Sequence, residues 1–361
     1  CASLLLALLS AVFVPPDRGY LSYLDYRTLS LLFCLMTVMA GFRELGIFAG
    51  LAQELLKRVK NLRQMVVILV MLPFFFSMII TNDVALITFV PLTMIVLQLL
   101  GQDVKSKWMI FLVVMQTVAA NLGSMLTPIG NPQNLYLYGI SGMSFGGFLK
   151  LMLPYTVAAF VLLLLWILLK CNKSREELSI PFSERVKVTN HGRIVLYVVL
   201  FAVCLLSVTR VLNDWIMLAL VLVCVCAFDR TVLKKVDYSL LLTFTGFFIF
   251  IGNMGRIELF CSFLEKSIAG HETATAIGAS QIISNVPAAL LLSGFTDKYQ
   301  DLITGTNLGG LGTLIASMAS LISYKYVAAE ERRSCGRYVA YFTAVNIVFL
   351  GAMMLVRHVL G

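Results

Sequence analysis

The chain alternates long apolar runs with short polar segments along its whole length. Several runs approach the roughly 20 apolar residues with which a helix spans a bilayer. Unbroken stretches such as 157–169 lack the strict alternation typical of a membrane β-barrel strand. The pattern predicts an all-α polytopic membrane protein. Its apolar runs lie at 1–14, 28–48, 64–80, 84–100, 107–126, 127–140, 148–169, 193–209, 214–228, 237–255, 273–283, 286–296, 302–323 and 338–357.

Several of these runs are too short to cross a membrane alone, and the charges between them predict which ones turn back. Most Lys and Arg residues fall in five polar segments, at 57–63, 105–107, 170–193, 230–235 and 325–337. The positive-inside bias places these segments in the cytoplasm. A re-entrant hairpin over 64–100 then enters from the cytoplasm, with its tip at Thr81-Asn82-Asp83. A second hairpin over 273–296 enters from outside, with its tip at Ser284-Asn285-Val286-Pro287.

An internal repeat relates these two hairpins. Ser77-Met-Ile-Ile-Thr81-Asn82 matches Ser280-Gln-Ile-Ile-Ser284-Asn285, and farther on Asn121-Leu-Gly123 matches Asn307-Leu-Gly309. Two matches in the same order within opposite topologies predict two inverted-topology repeats, each with a re-entrant hairpin and a broken transmembrane helix. Opposed hairpins and broken helices are typical of secondary transporters.

These signals divide the chain into four parts. A first membrane helix and external loop occupy 1–27, and a cytoplasmic linker occupies 170–192. Repeat 1 covers 28–169, with its hairpin at 64–100 and its broken helix at 107–140. Repeat 2 covers 193–361, with its hairpin at 273–296 and its broken helix at 302–323.

The hairpin tips carry side chains that suit a small cation. Hydroxyls, amides and the carbonyls freed at a helix end supply neutral oxygens of the kind that bind Na⁺ in discontinuous helices. One candidate cation site comprises Ser77, Thr81, Asn82, Asn121 and Gly123. The second comprises Ser280, Ser284, Asn285, Asn307 and Gly309. Such residues also gather where membrane helices pack closely, but their recurrence at both tips favours a function.

Asp83 is the one acidic residue at either tip, because Val286 occupies its position in the second repeat. A carboxyl group near the bilayer centre costs on the order of 3 kcal/mol, and such residues usually serve ion or proton pathways. We therefore expect Asp83 to couple transport to a proton or cation. The alternative is a structural cap that accepts hydrogen bonds from the amides of its own tip.

Each broken helix offers candidate substrate ligands. Gly130 and Pro132 interrupt the first helix, because glycine frees φ and proline removes a donor. The amides nearby either hold substrate oxygens or satisfy the freed backbone, and the sequence leaves both interpretations open. The stretch 127–134 corresponds to 313–320 in the second repeat. The candidate substrate-binding residues are Thr127, Gly130, Asn131, Asn134, Thr313 and Ser317.

Composition and charge exclude other classes of protein. Hydrophobic residues make up 59% of the 361 residues and charged residues 13%, which is unlike a soluble enzyme. The net charge of +9 lies in short loops beside apolar runs, so we expect lipid headgroups as its partners and no nucleic acid. No phosphate-binding or dinucleotide fingerprint is present. We expect no catalytic residues, no cofactor, and no metal other than a coupled Na⁺. A remote alternative is an intramembrane serine hydrolase that uses Ser141 of Gly139-Ile-Ser141-Gly142.

The tip and break motifs resemble the ion transporter superfamily, which includes citrate transporters, arsenite permeases, divalent anion:sodium symporters and NhaD-type antiporters. The resemblance runs from about residue 28 to 350 through Thr81-Asn82-Asp83, Gly130-Asn131-Pro132-Gln133-Asn134 and Ser284-Asn285-Val286-Pro287. It implies a scaffold domain, a homodimer and elevator-type movement. By position, Ser77, Thr81, Asn82 and Gly123 match the first sodium site of the symporters. Ser284, Asn285 and the residues near Asn307 match the second.

The resemblance implies an ion-coupled secondary active transporter of a small anion or oxyacid in the plasma (inner) membrane. Asp83 and Val286 stand where the dicarboxylate symporters have Thr, and Asn82-Asp83 is similar to an arsenite-permease tip. The expected cargo is therefore a citrate-like anion or an arsenite-type oxyacid, with Na⁺ or H⁺ as the coupling ion. The alternative within transport is a sodium/proton antiporter.

Overall fold

A computed structural model describes residues 2–171 and 190–360, which form seventeen α-helices and no β-strand. The helices of the first half are α1 Ala2–Phe13, α2 Tyr26–Glu44, α3 Ile47–Leu56, α4 Leu62–Phe76, α5 Asn82–Leu99, α6 Gln102–Gly123, α7 Pro132–Ile140 and α8 Phe145–Lys170. Those of the second half are α9 His191–Val208, α10 Asp214–Phe228, α11 Tyr238–Met254, α12 Glu258–Ile268, α13 Glu272–Ile283, α14 Asn285–Ser293, α15 Tyr299–Leu308, α16 Met318–Glu330 and α17 Cys335–Leu360.

Several of these helices are long and apolar enough to cross a membrane, as the sequence predicted. In the described part of the chain they are α5, α6 with the turn after it, α8, α9 and α17. Two bent pairs raise the number of candidate spans from five to seven. The pair α2 and α3 bends by 51°, and the pair α11 and α12 bends by 100°. The described part of the chain is thus all-helical and consistent with a polytopic membrane protein.

Two helical hairpins carry the tip motifs. In the first, α4 ends at Phe76 and α5 begins at Asn82, so a short turn separates them. In the second, Ser284 alone separates α13 from α14. Its backbone has φ 74° and ψ 154°, a region that residues other than glycine rarely adopt, at a strain of order 1–3 kcal/mol. The second tip is therefore the tighter of the two.

Two interrupted helices follow the hairpins. After α6, two short 3-10 turns, Ser124–Leu126 and Pro128–Gly130, lead into α7. After α15, the chain runs without regular helix until α16. Each hairpin flanks the first segment of its own interrupted helix, and it also packs against the second segment of the other one: α5 against α16, and α14 against α7. The two breaks therefore lie close together in the interior.

The distribution of side chains matches a membrane environment. Large apolar residues on the outer helices are exposed, for example Val157 and Leu165 on α8 and Leu355 on α17. The interior instead contains a set of buried amides and hydroxyls at the hairpin tips and helix breaks. Backbone that leaves a helix at membrane depth is tolerated where protein surrounds it, and that is its position here.

The two halves of the chain share one order of elements: a bent pair, a hairpin, an interrupted helix and a long helix. Their inverted orientation and the four-part division remain predictions. The predicted cytoplasmic linker over 170–192 lies mostly outside the described residues, because α8 ends at Lys170 and the description resumes at residue 190.

Candidate functional site

The first hairpin tip lies against the carboxyl end of α6. The Asn82 Nδ2 donates to the Asn121 Oδ1 across 3.0 Å, and both side chains are buried. Gly123 permits close packing of α6 on α4, because a Cβ there would lie 2.0 Å from the Phe74 carbonyl oxygen and 2.7 Å from the Ser77 Oγ. The structure therefore brings most of the first predicted cation site together.

Thr81 and Asp83, on either side of Asn82, have different surroundings. The Thr81 Oγ1 accepts from the Val84 N–H at 3.5 Å and so caps α5. Asp83 is half-buried and donates its own N–H to the Asn82 Oδ1 at 2.9 Å. Its buried carboxylate oxygen Oδ1 has no hydrogen-bond partner among the described residues. The capping role thus belongs to Thr81, which weighs against the structural alternative for Asp83.

The second tip contacts the segment between α15 and α16. The Asn285 N–H donates to the Ala316 carbonyl oxygen at 2.9 Å, and the Ser284 Oγ points to the same oxygen at 3.4 Å. Ser280 and Gly309 repeat the packing of the first site, since a Cβ on Gly309 would lie 2.6 Å from the Ser280 Oγ. The tip backbone is therefore bound directly to the second break.

The two interrupted helices contact each other at their breaks through two asparagines. The Asn121 Oδ1 accepts from the Ser317 Oγ at 3.1 Å, and its Nδ2 donates to the Gly310 carbonyl oxygen at 3.3 Å. The Asn307 Nδ2 donates to the Asn134 Oδ1 at 2.6 Å. Each asparagine at the end of a first segment thus bonds to the start of the other helix's second segment.

Within the first break, the amides satisfy freed backbone and neighbouring hydroxyl groups. The Asn134 Nδ2 donates to the carbonyl oxygens of Ser124 and Thr127, both at 3.3 Å, and the Asn131 Nδ2 donates to the Ser124 Oγ at 2.6 Å. The Thr127 Oγ1 donates to the Met78 carbonyl oxygen at 2.5 Å, which fastens the break to the first hairpin. Of the two interpretations left open for Asn134, its bonds here correspond to the structural one.

Gly130 and Thr313 complete the predicted break residues. A Cβ on Gly130 would lie 2.1 Å from the Ser124 carbonyl oxygen, so the turn requires glycine. Thr313 is exposed, and its N–H donates to the Gln281 Oε1 at 2.9 Å. The Gln281 Nε2 in turn donates to the carbonyl oxygens of Gly309 and Leu311 at 3.0 and 2.9 Å.

Sequence reasoning missed Gln281 and Ser124 as organisers of the two breaks. Gln281 lies inside the repeated hairpin motif, but at a position where the first repeat has Met78, so identity between the repeats did not single it out. Ser124 directly follows the matched Asn-Leu-Gly string, and its hydroxyl and carbonyl both accept bonds from the first break.

A cavity of about 110 Å³ reaches the first tip between α2, α5, α7 and the start of α11. Its wall consists mainly of apolar side chains, most of them Leu, Met and Ile. Lys235, which lies in one of the predicted cytoplasmic segments, borders the cavity and forms an ion pair with Glu44. The polar groups that line the cavity are those of Arg43, Thr81, Asp83, Asn131, Lys235 and Asp237.

Ser141, the residue of the hydrolase alternative, lies at the far end of α7. Its Oγ donates to the Tyr138 carbonyl oxygen at 3.1 Å and accepts from the Met143 N–H at 3.3 Å. No hydrogen bond from a histidine reaches it within residues 2–171 and 190–360. A serine nucleophile needs a general base within hydrogen-bond reach, so this arrangement does not favour hydrolysis.

Comparison with known proteins agrees with this architecture. Residues 1–322 match the citrate transporter family. The uncharacterized transporter MJ0456 of Methanocaldococcus jannaschii is 32% identical over 90% of this chain and 87% of its own length. The inner membrane protein YbiR of Escherichia coli is 31% identical over 91% of this chain and 87% of its own. The silicon efflux transporter LSI3 of rice is 34% identical over 46% of this chain and 33% of its own.

The match covers both hairpins and the first interrupted helix in full. Family and relatives point to a transporter rather than an enzyme. The chain belongs to the citrate transporter family, within the ion transporter superfamily.

Proposed function

We propose that this protein is an ion-coupled secondary active transporter of a small oxyacid or anion in the plasma membrane. The observation that carries the proposal is the convergence of two hairpin tips on two helix breaks. The first tip bonds to its own interrupted helix through Asn82 and Asn121, and the two interrupted helices bond to each other through Asn307 and Asn134. Transporter sites are built where discontinuous helices meet near the membrane midplane.

The buried groups at this centre favour a weakly charged cargo. They are amides and hydroxyls, and the buried residues of the described chain include no Lys or Arg. A multiply charged anion there would require compensating charge, whereas an undissociated oxyacid needs hydrogen-bond donors and acceptors. The name of the silicon efflux transporter LSI3 agrees with such a cargo. We therefore favour an arsenite- or silicic-acid-like oxyacid over a citrate-like anion.

The inverted repeat supplies the mechanism of the proposal. With the tips entering from opposite sides, the hairpins and interrupted helices form one transport domain that carries the site across the membrane. The outer helices form a scaffold, and two copies of the chain form the homodimer. The close contact of each hairpin with both interrupted helices supports movement of these elements as one body.

Coupling is assigned to the first tip and its cavity. Asp83 is the acidic group at the tips, and its unpartnered Oδ1 is free to take up a proton or contact a cation. The two sets of neutral oxygens around Asn82 and Asn285 are the proposed Na⁺ sites. Asp83 together with these Na⁺ sites also favours the second candidate, a sodium/proton antiporter, because an antiporter needs ion sites and no cargo site.

Flux measurements in proteoliposomes separate the two candidates. Arsenite, silicic acid and citrate are supplied in turn with an imposed Na⁺ gradient, an imposed pH gradient, or neither. The proposal expects gradient-dependent flux of an oxyacid. Sodium/proton exchange without movement of any of the three compounds would instead identify the antiporter, and protein-free liposomes report passive leak.

A further inference from the structure

Gln133, on the first turn of α7, is fully buried, and neither atom of its amide has a hydrogen-bond partner in the described part of the chain. Buried polar side chains in folded proteins almost always have a partner. An amide that leaves both its donor and its acceptor unmatched destabilises the fold, since each group loses its hydration without compensation. Such an arrangement indicates that another molecule makes these bonds.

The position of Gln133 places it between the second hairpin and the end of α15. Tyr136, three residues later on the same face of α7, forms a 2.9 Å hydrogen bond with Ser293 of α14. Gln133 therefore lies on the face of α7 that packs against α14. On its other side, Asn134 accepts from Asn307, whose own Oδ1 is also buried and without a partner within the described residues.

We propose that the carboxamide of Gln133 binds the transported oxyacid, with the Asn307 Oδ1 as a second acceptor; this inference rests on the proposed function. A carboxamide offers one acceptor and two donors. A hydroxyl of an undissociated oxyacid donates to the Gln133 Oε1, and another oxygen of the same molecule accepts from the Nε2. The amino end of α7 adds a positive partial charge at this point.

The second repeat shows that Gln133 is not needed to form a break. Its counterpart by position is Ala319, which follows Ser317 in an otherwise comparable segment. A residue required only to start the helix after the break would be expected in both repeats. The difference assigns Gln133 to one site, between α14 and the end of α15.

Gln116 in the middle of α6 provides a matched control. It is also fully buried, and its Oε1 likewise has no partner among the described residues, but its Nε2 donates to the Leu69 carbonyl oxygen and to the Thr93 Oγ1, both at 2.8 Å. Gln116 thus stabilises the contact of α6 with the first hairpin. The same substitution should have opposite consequences for stability at the two glutamines.

The test replaces each glutamine by methionine, a hydrocarbon-like side chain of similar length. Purified wild type, Gln133→Met and Gln116→Met are compared by their thermal midpoint, alone and with sodium arsenite or silicic acid, and by flux in proteoliposomes. For Gln133→Met we expect an unchanged or raised midpoint without the oxyacid. The oxyacid concentration that gives half of the midpoint shift should be at least tenfold higher than for the wild type. For Gln116→Met we expect a lowered midpoint with the response retained.

Gln133→Leu is made in parallel, so that misfolding peculiar to methionine does not decide the outcome. If either folded Gln133 variant keeps the wild-type response, the inference is wrong and the proposed function stands. A lowered midpoint in both variants with the response intact would make Gln133 a structural residue. If the wild type responds to neither oxyacid and transports neither, the proposed function fails, and this inference fails with it.

Discussion

At the scale of single residues, the two tips differ in one position that bears on coupling. Asn82 and Asn285 both bond to the chain around a break, but Asn82 is followed by Asp83 and Asn285 by Val286. Thr81 caps α5, and the buried Oδ1 of the Asp83 carboxylate has no hydrogen-bond partner among the described residues. A group that the fold does not use in this way, beside a cavity, is suited to exchange a proton or ion.

Replacing Asp83 by Asn should change the pH dependence of transport. An amide of the same shape cannot release a proton, so proton-coupled flux should fall at least tenfold, with the thermal midpoint little altered. Flux is measured in proteoliposomes between pH 5.5 and 8.5, with Asp103→Asn at the exposed start of α6 as the control. A pH profile that matches the wild type would return Asp83 to a structural role.

Removing the side-chain amide of either tip should abolish transport. Asn82→Ala loses the bond to Asn121, and Asn285→Ala loses an amide beside Gly310 but keeps the backbone bond to Ala316. We expect both variants to fold, with Asn82→Ala less stable by about 1 kcal/mol, and both to lose Na⁺-dependent stabilisation. Thermal unfolding in NaCl and KCl measures this loss. Full transport in both variants would contradict the paired-tip site.

At the scale of elements, glycines set how closely the helices approach. Both bent pairs have a glycine against a tyrosine ring just before the bend: a Cβ would lie 2.2 Å from the Tyr197 ring at Gly41 and 2.3 Å from the Tyr23 ring at Gly252. The Arg256 guanidinium, beside the second bend, also forms an ion pair with Asp17. The same contact at both bends supports the repeat that we propose.

The contact of α6 with α4 should fail when a side chain is added at Gly123. The Cβ of Gly123→Ala would meet backbone, which cannot rotate away, and we expect a loss of about 1–3 kcal/mol in stability. Gly278→Ala in α13 is the control, because no atom lies within 4 Å of its added Cβ and alanine favours helix. Equal thermal midpoints for the two variants would show that the close contact at Gly123 does not contribute to stability.

Much of the element order could be predicted from the sequence, and much less of the side-chain bonding. Apolar runs and the tip motifs indicated where the helices of both hairpins begin and end, because those signals are local. The hydrogen bond from Ser317 to Asn121 joins the two halves of the chain, and no local sequence pattern predicts a partner so distant in the chain. The repeat places Thr313 with the candidate substrate ligands, yet its hydroxyl and N–H both bond to Gln281.

For the molecule as a whole, charge and cavity together indicate which side of the membrane each tip faces. The cavity that reaches Thr81 and Asp83 is bordered by Lys235, in a segment that the positive-inside bias places in the cytoplasm. Thr313, which bonds to Gln281 near the second tip, is exposed and does not line this cavity. In the conformation described here we therefore expect Thr81 and Thr313 to be reached from opposite faces of the membrane.

Single cysteines at these two threonines test this two-sided access directly. The eight native cysteines are first replaced, and Thr81→Cys and Thr313→Cys are introduced separately. A membrane-impermeant thiol reagent should label Thr81→Cys in inside-out vesicles and Thr313→Cys in intact cells, each at least tenfold faster than in the opposite preparation. Val12→Cys on the exposed face of α1 controls for reagent that partitions into lipid. Labelling of both positions from the same side would contradict this assignment of the two threonines to opposite faces, because both tips would then open to one compartment in the conformation described here.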